Sequence, residues 1–186
     1  MKNIFYTFIL GFILLTLEPT IFRSFFGSLF NFLGFASLSS ILFDTAFILC
    51  IYAALTKNFY VALLSAFLLG YLKDIFVLTN AWINPFLFLI CALISNIIKR
   101  VVMIKGSFAF GAYMFGISIF YTVLWVILTS NLMSNEDAFG IGLRNFLPYS
   151  FNNFVFSFLF YQLFKRLDIL LEGEEGKDVN YLLPRW

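Results

Sequence analysis

The sequence has no histidine, two cysteines, four prolines and only 12% charged residues over its 186 positions. Without imidazole there is no Ser-His pair, no histidine metal ligand and no side chain whose ordinary pKa lies near neutrality. Cys50 and Cys91 stand in apolar runs with no second thiol or carboxylate at ligand spacing. That indicates neither a disulfide framework nor a zinc site, so both read as small hydrophobes. Basic residues come in ones and twos around a net charge of +2, which leaves no continuous basic groove for nucleic acid. There is no Gly-rich phosphate loop, no pair of carboxylates at helical spacing within a span, and no Ser or Cys beside a base, so no enzymatic activity is expected.

What is present is apolar. Hydrophobic residues make up 62% of the chain and phenylalanine alone occurs 28 times, against about 45–50% apolar residues in soluble domains. Mean hydropathy is +0.95. A soluble fold cannot hide that much apolar surface, so the expected solvent is lipid. The apolar run after Lys2 lacks the small-residue cleavage site of a signal peptide and is expected to stay as a span.

A helix needs about 20 apolar residues to cross ~30 Å of hydrocarbon. Charged and turn-forming residues divide the chain into spans near 3–17, 44–56, 59–79, 84–104, 107–130 and 146–164. The second is short, and its start is expected to reach back through Ser40-Ile41-Leu42-Phe43. The expected fold is an all-α integral membrane protein, a six-transmembrane-helix bundle over residues 1–165 with a charged cytoplasmic tail at 166–186. The Phe-rich stretch 23–35 between the first two spans reads either as a seventh span or, given its Gly, Ser and Asn interruptions and the preceding Pro19, as an interfacial or re-entrant segment.

Basic residues in short loops stay on the cytoplasmic side of a membrane. With six spans, Lys2, Lys57, Lys99, Arg100, Lys105, Lys165, Arg166, Lys177 and Arg185 share one side, and Arg23 and Arg144 the other. Both termini should therefore be cytoplasmic, with 18–43, 80–83 and 131–145 as outer loops. A seventh span would move the later basic loops to the side opposite Lys2, which disfavours it.

The polar residues inside the spans carry the functional expectation. Lys73 and Asp74 fall in the outer part of the third span, where an ionised group is retained chiefly if it faces protein or water. The bland reading is that Lys73 snorkels and Asp74 caps the helix. Against it, Ala62, Ala66, Gly70 and Asp74 recur every four residues, a small-residue face suited to close packing with a neighbouring or partner helix. Asn152, Asn153 and Gln162 in the last span are expected to bond across helices. Ser107, Gly111, Ala112 and Gly116 form a second, weaker small-residue face, and Glu18 and Asp44 read as surface charges flanking the first outer loop.

Asp44 followed by Ile48, Tyr52 and Leu55, then Gly70-Tyr71-Leu72-Lys73-Asp74, and later Asn153 before Lys165-Arg166, together resemble the bacterial rod shape-determining protein MreD family. The likeness covers residues 40–170. Phe43 stands where the family has Pro before the Asp, and Leu78-Thr79-Asn80-Ala81-Trp82 replaces its Gly-rich outer turn. The resemblance implies a non-catalytic, cofactor-free inner-membrane component of the machinery that builds lateral cell-wall peptidoglycan. It further implies as partners an MreC-like bitopic membrane protein, an MreB-like filament, a RodA-type glycosyltransferase and a class-B penicillin-binding protein. Cytoplasmic partners or anionic lipid would meet Lys99, Arg100, Lys105, Lys165 and Arg166. The family is also similar in span number to substrate-binding subunits of energy-coupling-factor vitamin transporters, the second reading. Those usually carry Ala-x-x-x-Ala on the first span, where this chain reads Phe8-Ile9-Leu10-Gly11-Phe12-Ile13.

Overall fold

A computed structural model describes residues 2–18, 44–77, 83–102, 104, 106–133 and 136–172. Among the described residues the chain forms six helices. These are α1 (Lys2–Leu17), α2 (Thr45–Thr56), α3 (Phe59–Val77), α4 (Ile83–Val101), α5 (Gly106–Met133) and α6 (Glu136–Glu172). Three contain stretches long and apolar enough to cross a membrane: Phe59–Phe76, Ile83–Val101 and Gly106–Ser130. The stretch 23–35, Trp82 and the tail beyond residue 172 lie outside the described residues.

The centre of the assembly is α2, which packs on α1, α3, α4 and α6. Twelve residues rise about 18 Å, well short of ~30 Å of hydrocarbon. It needs no lipid contact to be stable, because every residue from Thr45 to Ala54 is buried by the surrounding helices. Asp44 starts it as an N-cap with φ −114° and ψ 92°, its carboxylate accepting from Phe47 N at 2.9 Å. The expected reach of this span back through Ser40-Ile41-Leu42-Phe43 falls outside the described residues. At the other end Lys57 is extended, and Lys99 Nζ donates to the carbonyls of Ala54 and Lys57, both at 2.9 Å. A cation thus satisfies carbonyls that the helix end leaves unpaired.

Helices α3 and α4 pack against each other along the small-residue face. A β-carbon on Gly70 would lie 2.5 Å from Pro85 Cα and 2.8 Å from the Asn84 carbonyl, so only glycine permits this backbone approach. Ala62, Ala66, Gly70 and Asp74 are all buried within the chain. The face expected to meet a neighbouring or partner helix is thus buried within the chain, and at Gly70 and Asp74 it meets α4 of the same molecule.

The most extensive pairing joins α5 to α6. Gly106, at φ +85°, turns the chain into α5 in a conformation that side chains resist. Gly111 is closed over by Phe158 and Ser157, whereas Ala112 and Gly116 are exposed, so the second small-residue face is only partly used. Two boundaries move. Helix α6 starts at Glu136, inside the stretch 131–145 expected as a loop, and continues to Glu172, beyond the expected start of the tail at 166.

Helix α4 buries polar residues among apolar ones: Leu87, Phe88, Cys91 and Ala92 lie on its inner face too. Asn84, Ser95 and Asn96 are buried, while Phe86 and Ile97 are 53% and 64% exposed. Residues 84, 88, 91 and 95 recur at three- and four-residue intervals and so share one face, on which Asn84 and Ser95 sit beside Phe88 and Cys91.

Candidate functional site

The polar residues that do not suit lipid converge at the end of the bundle where α2 begins. Lys73 Nζ donates to Asp44 Oδ2 and, at 3.0 Å, to the hydroxyl of Tyr121. The Tyr121 hydroxyl in turn donates to Asn84 Oδ1 at 2.5 Å, and Asn84 Nδ2 donates to Asp74 Oδ1. On the other side Tyr149 OH donates to Asp44 Oδ2 at 3.0 Å. Asn153 accepts from the Asp44 backbone N–H at 3.0 Å and donates to Ser118 Oγ at 3.1 Å. Glu18, immediately after α1, accepts from the backbone N–H of Thr45 at 3.1 Å and from its hydroxyl.

Every described helix contributes: α2 through Thr45 and its cap Asp44, α3 through Lys73 and Asp74, α4 through Asn84, α5 through Ser118 and Tyr121, α6 through Tyr149 and Asn153, and α1 through the residue that follows it. The Asp44 carboxylate alone is held by Lys73, Tyr149 and the Phe47 N–H. Phe47, Phe88 and Tyr121 pack beneath this cluster, with ring centroids 4.7 Å apart for Phe47–Tyr121 and 5.4 Å for Phe47–Phe88. Lys73 Nζ lies 5.0 Å from the centre of the Tyr121 ring and 5.3 Å from that of Phe88. Ring faces and a carboxylate together offset part of the cost of burying an ammonium.

Lys73 therefore turns inward and does not snorkel, and Asp74 is held by Asn84 of the next helix. Asn153 is fully buried and bonds across helices, and Asn152 is buried too, whereas Gln162 is exposed. Asp44, read from the sequence as a surface charge, is 4% exposed and is the hub of the cluster; Glu18 is partly buried against it. The sequence signal was available in Asp44 and Lys73 as opposite charges at the same end of adjacent antiparallel helices. Tyr121, Tyr149 and Asn84 gave no signal of their own.

Of the basic residues, Lys99 is spent on the end of α2. Arg100, Lys165 and Arg166 are exposed, and the side chain of Lys105 lies outside the described residues. At this same end Asp168 of α6 accepts from Tyr52 OH at 2.7 Å and pairs with Lys57 at 2.9 Å. Among the described residues no group of three or more Cys, Asp or Glu side chains is placed to hold a metal ion. Cys50 and Cys91 are buried and unpaired by disulfide.

Such a cluster can fix helices in register, because each partner removed leaves another buried polar group unsatisfied. No family model, curated protein or solved structure matches the chain.

Proposed function

We propose that this protein is a non-catalytic scaffold of a bacterial cytoplasmic membrane, with six helices embedded in the bilayer and both termini cytoplasmic, acting in the cell-wall elongation (rod shape) machinery. The observation that carries this reading is the use of the intramembrane polar groups. Lys73, Asp44, Asp74, Asn84 and Asn153 bond to one another across the helices, which makes the bundle a rigid body rather than a path for ions. The exposed apolar residues of α3, α4 and α5 support lipid as the solvent, since water would not tolerate so large an apolar surface. The basic bias of the Lys57 end supports its placement on the cytoplasmic side.

The resemblance of residues 40–170 to the MreD family supplies the biological context. In this reading the bundle positions an MreC-like bitopic protein, an MreB-like filament, a RodA-type glycosyltransferase and a class-B penicillin-binding protein. The Ala62–Ala66–Gly70 face is internal, so partner spans meet the lipid-facing surfaces of the outer helices, and Arg100, Lys165 and Arg166 are free for cytoplasmic partners.

Depletion in the native host, with microscopy and pull-down, tests the proposal. Rounded cells and co-purification of a single-span periplasmic protein are the expected results. Normal shape with a vitamin requirement would overturn the scaffold and establish the vitamin-binding subunit instead.

A further inference from the structure

The polar cluster fixes a common level for five helices, because Asp44, Lys73, Asn84, Tyr121 and Tyr149 meet there in one hydrogen-bonded network. The rings of Tyr121 and Tyr149 also stack, 6.0 Å apart at 27°. Beyond that level, away from the Lys57 end, the helices are unequal. Helix α2 begins there, α4 has only Ile83 before Asn84, and α3 runs on from Lys73 to Val77, about 6 Å. Helix α5 continues from Thr122 to Met133 and α6 comes back from Glu136 to Leu147, about 18 Å each. Among the described residues, α5 and α6 therefore overhang the other helices by about 12 Å.

On the near side of that level α6 is fixed to both ends of α2. Asn153 accepts from the Asp44 N–H, and Asp168 accepts from Tyr52 and pairs with Lys57. The fixed part starts at Tyr149, and immediately before it stands Pro148, which lacks the N–H that would bond the Arg144 carbonyl. Helix α5 carries a bending feature at the same level. Thr122 Oγ donates to the Ser118 carbonyl at 2.9 Å, a back-bond of the kind that bends helices. Thr129 makes a similar bond to the Trp125 carbonyl farther out, but only Thr122 adjoins the cluster. Two adjacent helices are thus weakened where both leave the bundle.

We propose that residues 123–133 of α5 and 136–147 of α6 form an arm that swings as a unit about Thr122 and Pro148, with the polar cluster as its latch. The inference goes beyond the scaffold reading and does not depend on it. Tyr149 joins the two parts, since its backbone follows Pro148 and its hydroxyl donates to Asp44. Loss of that bond frees the base of the arm. A swing of about 20°, the size of a sharp proline kink, moves Ile127, about 8 Å beyond Thr122, by about 3 Å.

The test measures spin-label distance distributions by electron paramagnetic resonance on the full chain in mild detergent. One pair joins Ile97→Cys on α4 to Ile127→Cys on the arm, and the other joins Ile97→Cys to Phe151→Cys on the fixed part of α6; all three positions are exposed. Cys50 and Cys91 are buried and do not compete for the label. The Ile127 distribution should be broader than the Phe151 distribution by about 3 Å. Pro148→Ala/Thr122→Val should narrow it to the width of the Phe151 pair, and Tyr149→Phe should broaden the Ile127 pair alone. Equal widths for the two pairs in the otherwise unmodified chain overturn the proposal. So does an Ile127 distribution that Pro148→Ala/Thr122→Val leaves unchanged, or one that Tyr149→Phe broadens no more than that of Phe151.

Discussion

Replacing Lys73 by methionine keeps most of the side-chain volume and removes the charge, leaving Asp44 buried at 4% exposure with only Tyr149 and a backbone N–H to hold it. Breaking a buried ion pair from one side costs about 3–5 kcal/mol, because the surviving charge keeps its desolvation penalty and loses its partner. The Tyr121 hydroxyl also loses a donor, although its bond to Asn84 remains. For a chain of this size the loss corresponds to a fall in Tm of about 6–20 °C. Thermal unfolding in detergent, followed by circular dichroism, reads it directly. The companion variant Asp44→Asn keeps an acceptor for Phe47 N and a good N-cap residue. The double variant Lys73→Met/Asp44→Asn should therefore recover much of the loss, with a coupling of roughly 2 kcal/mol or more in the four-protein cycle. A loss below about 0.5 kcal/mol for Lys73→Met is what a surface lysine would show. That result, or simple additivity in the double variant, would refute the placement of Lys73 inside the bundle.

Two further outcomes follow from the geometry. Gly70→Ala places a β-carbon against the backbone of Pro85 and Asn84, and overpacking of this kind should cost about 1–3 kcal/mol in the same unfolding assay; a neutral result would show that α3 and α4 are not in backbone contact. Burial, and after it the Asp44 carboxylate, push the Glu18 carboxyl up from 4.5 to about 7, with Thr45 and Lys73 pulling the other way. Between those values the folded chain keeps a proton that the unfolded chain has released, so this group's contribution is full below about pH 4.5 and is lost as pH rises through about 7. Glu18→Gln should flatten that slope, and an unchanged profile would place Glu18 in solvent.

Several parts of the architecture were legible because hydrophobic run length is a local property. The spans read at 59–79, 84–104 and 107–130 coincide with α3, α4 and α5 to within a few residues, since lipid-length apolar runs bounded by charge have one economical conformation. The start of α6 was not legible. Polar residues such as Glu136, Asp137 and Arg144 read as loop, yet the helix includes them and runs on through Pro148, which lacks the N–H for the Arg144 carbonyl. The small-residue face was legible as a packing surface from its four-residue period, but its partner was not, as spacing says that a neighbour fits and does not say whose backbone it is.

The sequence alone determined the helical class, the apolar runs long enough to cross a membrane and the absence of imidazole chemistry, all of which follow from composition and run length. The tertiary structure decided what the few polar residues are for. Asp44 and Lys73 stand 29 positions apart, and Asp44 and Tyr149 are separated by 105. Each looks like an isolated liability when read along the chain. Only the packing of α3 and α6 on the short, buried α2 brings them within hydrogen-bond reach, and a charge buried in a low-dielectric interior is tolerated only when such partners arrive together.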